Sequence, residues 1–339
     1  MKVLIGSPAY PPSLGGLERV VEQLATGLAA AGEDVTVVTR TPNGTLDRSP
    51  FRVVRCPTAL QRLRLVRECD VFLQANVALR DLWPLLVVRR PWVVSHHGLY
   101  GGTRRRARLL GAIKLLVSRR AGARVAVSRF LATRLGDDIE VVPNPYRDDL
   151  FRRVPGVDRD RDLVFVGRLV SEKGCDCLIS AVARLSTGPE TTSLTIVGDG
   201  PERAALEARV RDLGLEEEIQ FRGRLDGEEL VRLLNRHRVL VVPSLVEEGF
   251  GVVALEGIAA GCVVVGAAAG GLPEAIGPCG TTFPVGDEMA LAEELRALLA
   301  DEDLEAFRER AEEHLKPRST ARVANRYRAI LRRVAGEGA

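Results

Sequence analysis

The sequence predicts an α/β protein built from two doubly wound, parallel-sheet domains. Three observations carry that prediction. A chain of 339 residues is long for a single hydrophobic core. Short apolar runs of strand length alternate with amphipathic stretches of helical period, the pattern of a parallel sheet covered by helices on both faces. The alternation pauses at Pro145 to Arg161, a segment rich in Arg and Asp with Pro155-Gly156, and then restarts.

The elements follow in order. KVLIG (2–6) reads as a buried strand, Leu17 to Ala31 as an amphipathic helix closed by Gly32, and DVTVVTR (34–40) as the next strand. FRVVRC, DVFLQA, WVVSHH, ARVAVS and IEVVPN continue the series. After the expected linker come LVFVG (163–167), LTIVG (194–198), EIQFRG (218–223), VLVVPS (239–244) and CVVVG (262–266), with helices between them. A last amphipathic helix is expected from about Ser319 to Val334, after Lys316-Pro317. The domain boundaries expected are 1–155, 156–318, and a terminal helix segment, 319–339.

Composition narrows the class. An apolar content of 46% is ordinary for a soluble globular protein. No run of about 18 apolar residues and no leader with a cleavage site is present, so neither a spanning helix nor secretion is expected. The six cysteines have no zinc spacing and read as small core or surface residues, consistent with a reducing cytoplasm. The net charge of +3 conceals an asymmetry. Residues 1–150 hold 23 Lys+Arg against 13 Asp+Glu, and residues 151–339 hold 25 against 32. A basic half joined to an acidic half suggests that the first half meets something anionic.

Pro243 to Gly261, PSLVEEGFGVVALEGIAAG, concentrates chemistry. Glu248 and Glu256 lie eight apart around Gly249-Phe250-Gly251, with a strand before and helical periodicity from Val252 onward. A Gly-rich approach to a helix N-terminus is an anion site, because free N–H groups point outward there. Eight helical residues span about 12 Å, which is too far for a glycosidase pair at about 5 to 9.5 Å. The two carboxylates are better suited to gripping the ends of a long ligand across a phosphate bridge. Arg168 directly follows a strand in FVGRLVSEKG, and Lys173 lies near a helix start. Two such cations can neutralise a diphosphate. In the first half, Gly15-Gly16 ends the long turn SPAYPPSLGG and lets backbone approach a ligand. No G-x-G-x-x-G follows that strand, which removes the main support for a dinucleotide cofactor. His96 and His97 stand at a strand end, and a one-residue shift in register would exchange which of them faces inward. TRRRARLLGAIKLLVSRR (103–120) is a basic amphipathic stretch suited either to an anionic membrane surface or to a core-facing role.

Taken together, EGFGVVALE, GRLVSEKG, VGDGPER (197–203), FRGRL (221–225) and GGLPEAI (270–276) resemble, in order, the motifs of retaining GT-B glycosyltransferases of family 4. The resemblance covers nearly all of the second half and is looser in the first. It implies a GT-B fold: two Rossmann-like domains facing a central cleft, with the terminal helix crossing back to the first. It implies that Glu248 contacts donor-sugar hydroxyls, that Glu256 contacts the ribose, and that Arg168 and Lys173 hold the donor phosphates. Arg224, Leu225, Gly249, Gly251, Val252 and Val253 would complete the donor site with Phe250, Gly15 and Gly16 would face the cleft, and His97 would lie near the reacting sugar. The implied function is transfer of a sugar from a nucleotide sugar, UDP-linked first and GDP-mannose next, to a hydroxyl. The acceptor could be a lipid-linked glycan of cell-envelope or exopolysaccharide synthesis. No cofactor or metal is expected, since no DxD-type site is evident and fixed cations stand in its place. No nucleic-acid partner is expected. The expected location is the cytoplasm, with peripheral attachment to the inner face of the membrane through Thr103 to Arg120. The alternatives are a non-hydrolysing sugar-nucleotide epimerase of the same fold, a non-catalytic nucleotide-sugar-binding subunit, and a basic binding module. The last leaves the donor motifs unexplained.

Overall fold

The computed structural model describes residues 1–13, 15–42, 49–101, 105–186, 192–301 and 304–336. Thr103 and Arg104 lie outside the described residues. The chain divides into two compact units, Met1–Tyr146 with Pro317–Ala339, and Arg147–Lys316.

The first unit carries a seven-stranded sheet. Its strands are β1 (Lys2–Ser7), β2 (Asp34–Thr39), β3 (Arg52–Arg55), β4 (Val71–Ala75), β5 (Trp92–His96), β6 (Ala123–Ala126) and β7 (Glu140–Val141). Their order is β3-β2-β1-β4-β5-β6-β7, and every pairing is parallel. The second unit carries β8 (Arg161–Val166), β9 (Leu194–Val197), β10 (Ile219–Gly223), β11 (His237–Val242), β12 (Val263–Ala267) and β13 (Gly280–Phe283). Their order is β10-β9-β8-β11-β12-β13, again all parallel. The strand order reverses beside β1 in one unit and beside β8 in the other, the doubly wound arrangement that places ligands beyond strand carboxyl ends.

The central strands read as continuous apolar runs because both sheet faces are covered. Val3, Leu4 and Ile5 of β1 are buried, as are Val239, Leu240 and Val241 of β11. In the first unit the Gly16–Ala30 helix packs Val21, Leu24 and Leu28 into the same core as Val323, Tyr327, Ile330 and Leu331 of the Thr320–Ala335 helix. A buried carboxylate reinforces that junction. Glu33 accepts from Arg328 Nε at 2.6 Å and pairs with Arg332 at 3.0 Å.

Two differences from the sequence reading have physical causes. Pro145 to Arg161, read as a loose linker, is strapped to the second unit. Asn235 accepts from Val154 N at 2.7 Å and donates to Arg152 O, while Arg159 donates to His237 O and Ala260 O at 2.6 Å each. Arg159 binds backbone carbonyls, and Arg147, Arg152 and Arg153 pair with Asp226, Glu228 and Glu305. The edge strand β13 has no counterpart in the sequence reading, because GTTF lacks an apolar run.

Candidate active site

Parallel pairing brings all strand carboxyl ends of a unit to one edge. In the second unit, the loops after β8, β9, β11 and β12 are stitched together there. Leu169 N donates to Asp199 O at 3.1 Å, Leu245 N to Glu172 O at 2.9 Å, and Gly271 N to Glu248 O at 2.8 Å. These bonds place the motif residues on a fixed frame.

Arg168, just beyond β8, is exposed and forms no ion pair among the described residues. Lys173 closes the one-turn helix Ser171–Lys173. Its Nζ donates to Glu248 Oε1 at 2.7 Å, and Ser244 Oγ donates to the same oxygen. Glu248 therefore has one oxygen held by a cation and a hydroxyl, which fixes its orientation. Arg224 is exposed after β10, its Nε 3.8 Å from Asp199 Oδ2, with Leu225 half-buried beside it.

Glu248 lies in the loop before the Val252–Ala259 helix, and only Glu256 is on that helix. The eight-residue interval is therefore not a rise along one helix, and the separation inferred from helical pitch does not apply. Glu256 is buried. Gly249 is half-buried in the same loop. Phe250 is also buried, so its ring anchors the loop and only its backbone is left for a ligand. Gly251 caps the helix at φ +99°, and a Cβ there would lie 2.6 Å from Leu272 Cδ1. The first-turn N–H groups of Val252 and Val253 have no acceptor within their helix, which gives this end a positive potential. Gly270, at φ +63°, brings its loop so close that a Cβ would sit 2.2 Å from Glu248 O. Two glycines thus set the position of Glu248.

In the first unit, Gly15 caps the Gly16–Ala30 helix in extended backbone, φ −176°, which any residue could adopt. The buried Glu18 occupies the first turn, where Ser13 Oγ donates to it at 3.3 Å. A carboxylate already meets that positive end. Gly16 is exposed.

The histidine doublet is resolved in space. His96, the last residue of β5, is fully buried, with Nδ1 2.7 Å from Tyr100 Oη. His97 follows the strand and is half-buried. Its N–H donates to Asn76 Oδ1 at 2.8 Å, and its Nε2 lies 2.9 Å from Ser95 Oγ. Burial pushes the His97 pKa down to about 4, opposed by the Asn144 side chain beside the ring. Burial, then the neighbouring His97 and Arg124, push His96 down to about 3. Both rings are neutral at pH 7.

Gly15, Gly16 and His97 thus lie at the carboxyl edge of the first sheet, and Arg168 to Glu256 at that of the second. Ser244 and Asp199 on the second edge, and Ser95, Asn76 and Asn144 on the first, were not assigned roles from sequence. Each is a small polar residue at a strand end, and that placement is the only signal the sequence offers. Among the described residues no group of three His, Cys, Asp or Glu is arranged to hold a metal ion. None of the six cysteines is in a disulfide; five of them are buried and Cys56 is exposed. No helix among the described residues is long and apolar enough to cross a membrane.

Comparison with known proteins places this arrangement. Residues 147–314 match the family model of glycosyl transferases group 1, and residues 14–150 that of glycosyltransferase family 4. The chain is 30% identical to a glycogen synthase of Mycobacterium tuberculosis, over 89% of this chain and 86% of that protein. It is 29% identical to a GDP-mannose-dependent alpha-(1-6)-phosphatidylinositol monomannoside mannosyltransferase of Mycolicibacterium smegmatis, over 88% of this chain and 89% of the relative. In fold it is similar to Anabaena HepE in complex with UDP, with a TM-score of 0.82 at 21% identity, covering 98% of this chain and 99% of that one. It is also similar to sucrose-phosphate synthase of Thermosynechococcus elongatus, with a TM-score of 0.80 at 22% identity, covering 99% of this chain and 100% of that one. Two parallel-sheet Rossmann-like units, ordered motifs along one sheet edge and these matches lead to one assignment: the chain belongs to the group 1, family 4 glycosyltransferases of GT-B fold and is a hexosyltransferase-type enzyme.

Proposed function

We propose that the enzyme binds a nucleotide sugar at the carboxyl edge of its second sheet and transfers the hexose, with retention, to an acceptor hydroxyl brought by the first unit. The observation that carries this reading is the convergence of Arg168, Lys173, Arg224, Glu248 and the Val252–Ala259 N-terminus on one edge. Departure of a diphosphate leaves negative charge on phosphate oxygens. Fixed cations and first-turn N–H groups stabilise such charge without reorganising. The C1–O bond to the diphosphate breaks and a bond from C1 to the acceptor oxygen forms on the same face. The acceptor proton passes to a leaving phosphate oxygen, so no protein nucleophile is assigned. Glu248, oriented by Lys173 and Ser244, holds sugar hydroxyls, and Glu256 holds the ribose. His97 stands near the reacting sugar. The cations make a divalent metal unnecessary, and turnover is expected to survive EDTA.

A UDP-sugar is the first donor to test and GDP-mannose the second. UDP and UDP-glucose are bound in HepE structures, and one mannosyltransferase relative is GDP-mannose-dependent. A hydrolysis and calorimetry screen over UDP-, GDP- and ADP-sugars tests the reading. Saturable binding of one donor class, weakened by Arg168→Ala, is expected. No binding by any donor would overturn it.

A lipid-linked acceptor at an anionic membrane face is the accompanying reading, and one surface favours it. Residues 82–136 contain no Asp or Glu. The Arg105–Ser118 helix there buries only Gly111 and Ser118, leaving Leu109, Leu110, Ile113 and Leu116 exposed among Arg105, Arg106, Arg108 and Lys114. Nearby, Leu82, Trp83, Leu86 and Trp92 line an apolar groove of about 630 Å³ with Arg89 and Arg90. Exposed leucines ringed by cations suit a headgroup layer, where each basic residue contributes about 1 kcal/mol. Sedimentation with anionic vesicles should show binding that falls with salt and with Arg105, Arg106 and Arg108 replaced by Ser. Indifference to vesicles at low salt would favour a soluble acceptor.

A further inference from the structure

A buried hydrogen-bond chain links the terminal helix to His97. Tyr327, on the Thr320–Ala335 helix, is 2% exposed, and its hydroxyl lies 2.6 Å from Ser95 Oγ. Ser95, itself buried on β5, lies 2.9 Å from His97 Nε2. Two serial hydroxyls can point their protons in either of two directions. If Ser95 donated to Tyr327, the tyrosine proton would be left in the core without an acceptor. Among the described residues Ser95 Oγ is the only hydrogen-bond partner of that hydroxyl. An unsatisfied buried donor is the costly arrangement. Tyr327 therefore donates to Ser95, and Ser95, its oxygen satisfied, donates to His97 Nε2. An accepting Nε2 leaves the ring proton of neutral imidazole on Nδ1.

Nδ1 is the atom of interest. It is buried, and the Asn144 side chain beside the ring is the acceptor within its surroundings. The backbone N–H of His97 is fixed by Asn76 Oδ1. With the proton on Nδ1, facing Asn144, and Nε2 accepting from Ser95, the ring is held at both ends and no buried donor of the chain is left without a neighbour to accept it. The second unit contains a comparable arrangement with all atoms satisfied: His237 Nδ1 donates to Leu233 O at 2.6 Å, while Nε2 accepts from Thr195 Oγ1 at 2.8 Å.

We propose that Tyr327 is a positioning residue that, through Ser95, fixes His97 as the Nδ1-protonated tautomer, with Nδ1–H turned toward the Asn144 side chain and the ring orientation set from both sides. The terminal helix, which follows the second unit in sequence, thereby controls a hydrogen-bond polarity at the edge of the first sheet. The tautomer assignment stands on geometry alone. Its effect on turnover rests on the glycosyltransferase reading.

The test uses the full-length chain with nitrogen-15-labelled histidine. There are four histidines, and the His97→Gln spectrum identifies the His97 signals by their loss. The wild-type ring is expected to show an unprotonated Nε2 and a protonated Nδ1 at pH 7. Tyr327→Phe keeps the packing and removes the donor. It should shift His97 toward a tautomer mixture and lower kcat by about 3- to 10-fold, the range of one hydrogen bond, with donor KM and melting temperature little changed. Ser95→Ala should do the same, a second route should Tyr327→Phe fold poorly. Added to His97→Gln, Tyr327→Phe should have no further effect on kcat. A wild-type ring protonated on Nε2 overturns the assignment, and so does a tautomer unmoved in both variants. Equal losses from Tyr327→Phe with and without His97 would make its role structural. If the tautomer moves while no nucleotide sugar binds, the glycosyltransferase reading fails and the tautomer assignment survives.

Discussion

Glu248 shows how much one residue depends on its setting. Its orientation comes from Lys173 and Ser244, and its place along the loop from Gly251 and Gly270. Lys173 therefore has two roles to lose, holding phosphate and holding Glu248, while the exposed Arg168 has one. Arg168→Ala should lower kcat by about 10²- to 10³-fold, the cost of one charge-stabilising donor, with an unchanged melting temperature. Steady-state kinetics beside a thermal melt checks both, and near-wild-type turnover would remove Arg168 from the phosphate site. The two carboxylates should separate by ligand. Glu256→Ala is expected to weaken nucleoside diphosphate binding, and Glu248→Ala to impair turnover of the nucleotide sugar more than diphosphate affinity. Equal loss of diphosphate affinity in both variants, measured calorimetrically, would contradict that division.

At the scale of elements, the glycine contacts make a sharper prediction than any side chain. Gly270→Ala would place a methyl in left-handed backbone against Glu248 O. Strain of this kind costs about 1–3 kcal/mol. The variant should melt earlier and should lose activity beyond what its stability explains, since the displaced backbone carries Glu248. A variant that melts early but keeps full kcat at low temperature would show that the Glu248 loop tolerates the shift. The elements also show what was legible in the sequence. Central strands such as β1 and β11 were readable because burial on both faces writes an unbroken apolar run. The motif residues were readable because strand ends in a doubly wound sheet are where ligands bind. The 105–118 helix was ambiguous because apolar periodicity records amphipathicity and not which face is covered. Leu109, Leu110, Ile113 and Leu116 are exposed, and nothing local distinguishes that from a core-facing stripe. The Ser95–Tyr327 bond spans 232 residues and pairs two commonplace side chains, so no spacing announces it.

Across the whole molecule, the buried histidines set a pH dependence. His96 is depressed to about 3, and His97 and His237 to about 4, each chiefly by burial. In an unfolded chain these rings take up a proton near pH 6.5. Between about pH 6.5 and 4 the unfolded state therefore binds more protons than the folded one, and stability falls as pH falls. The contribution is fully present above pH 6.5 and lost through the folded values. Urea midpoints should decline from pH 7 to pH 5, before most carboxylates titrate, and the slope should flatten in His237→Asn. A midpoint constant over that interval would show that the rings gain their protons in the folded state. The asymmetric charge has a separate consequence. The acid-free run of residues 82–136 lies wholly within the first unit, so a salt-sensitive attraction made through that run belongs to that unit.

The path of the chain carries a consequence for biosynthesis. The first unit is interrupted at Tyr146 and resumes only at Pro317. Its core lacks Val323, Tyr327, Ile330 and Leu331 until that late segment emerges, and Glu33 lacks Arg328 and Arg332. On a ribosome, the unit begun first is therefore the one completed last, while residues 147–316 already form a continuous sequence for the second sheet. A chain truncated after Lys316 should resist protease across the second unit and remain susceptible across residues 1–146. Release of the final helix should then close the first unit, so that an abortive product carries a folded second unit beside an unfinished first one.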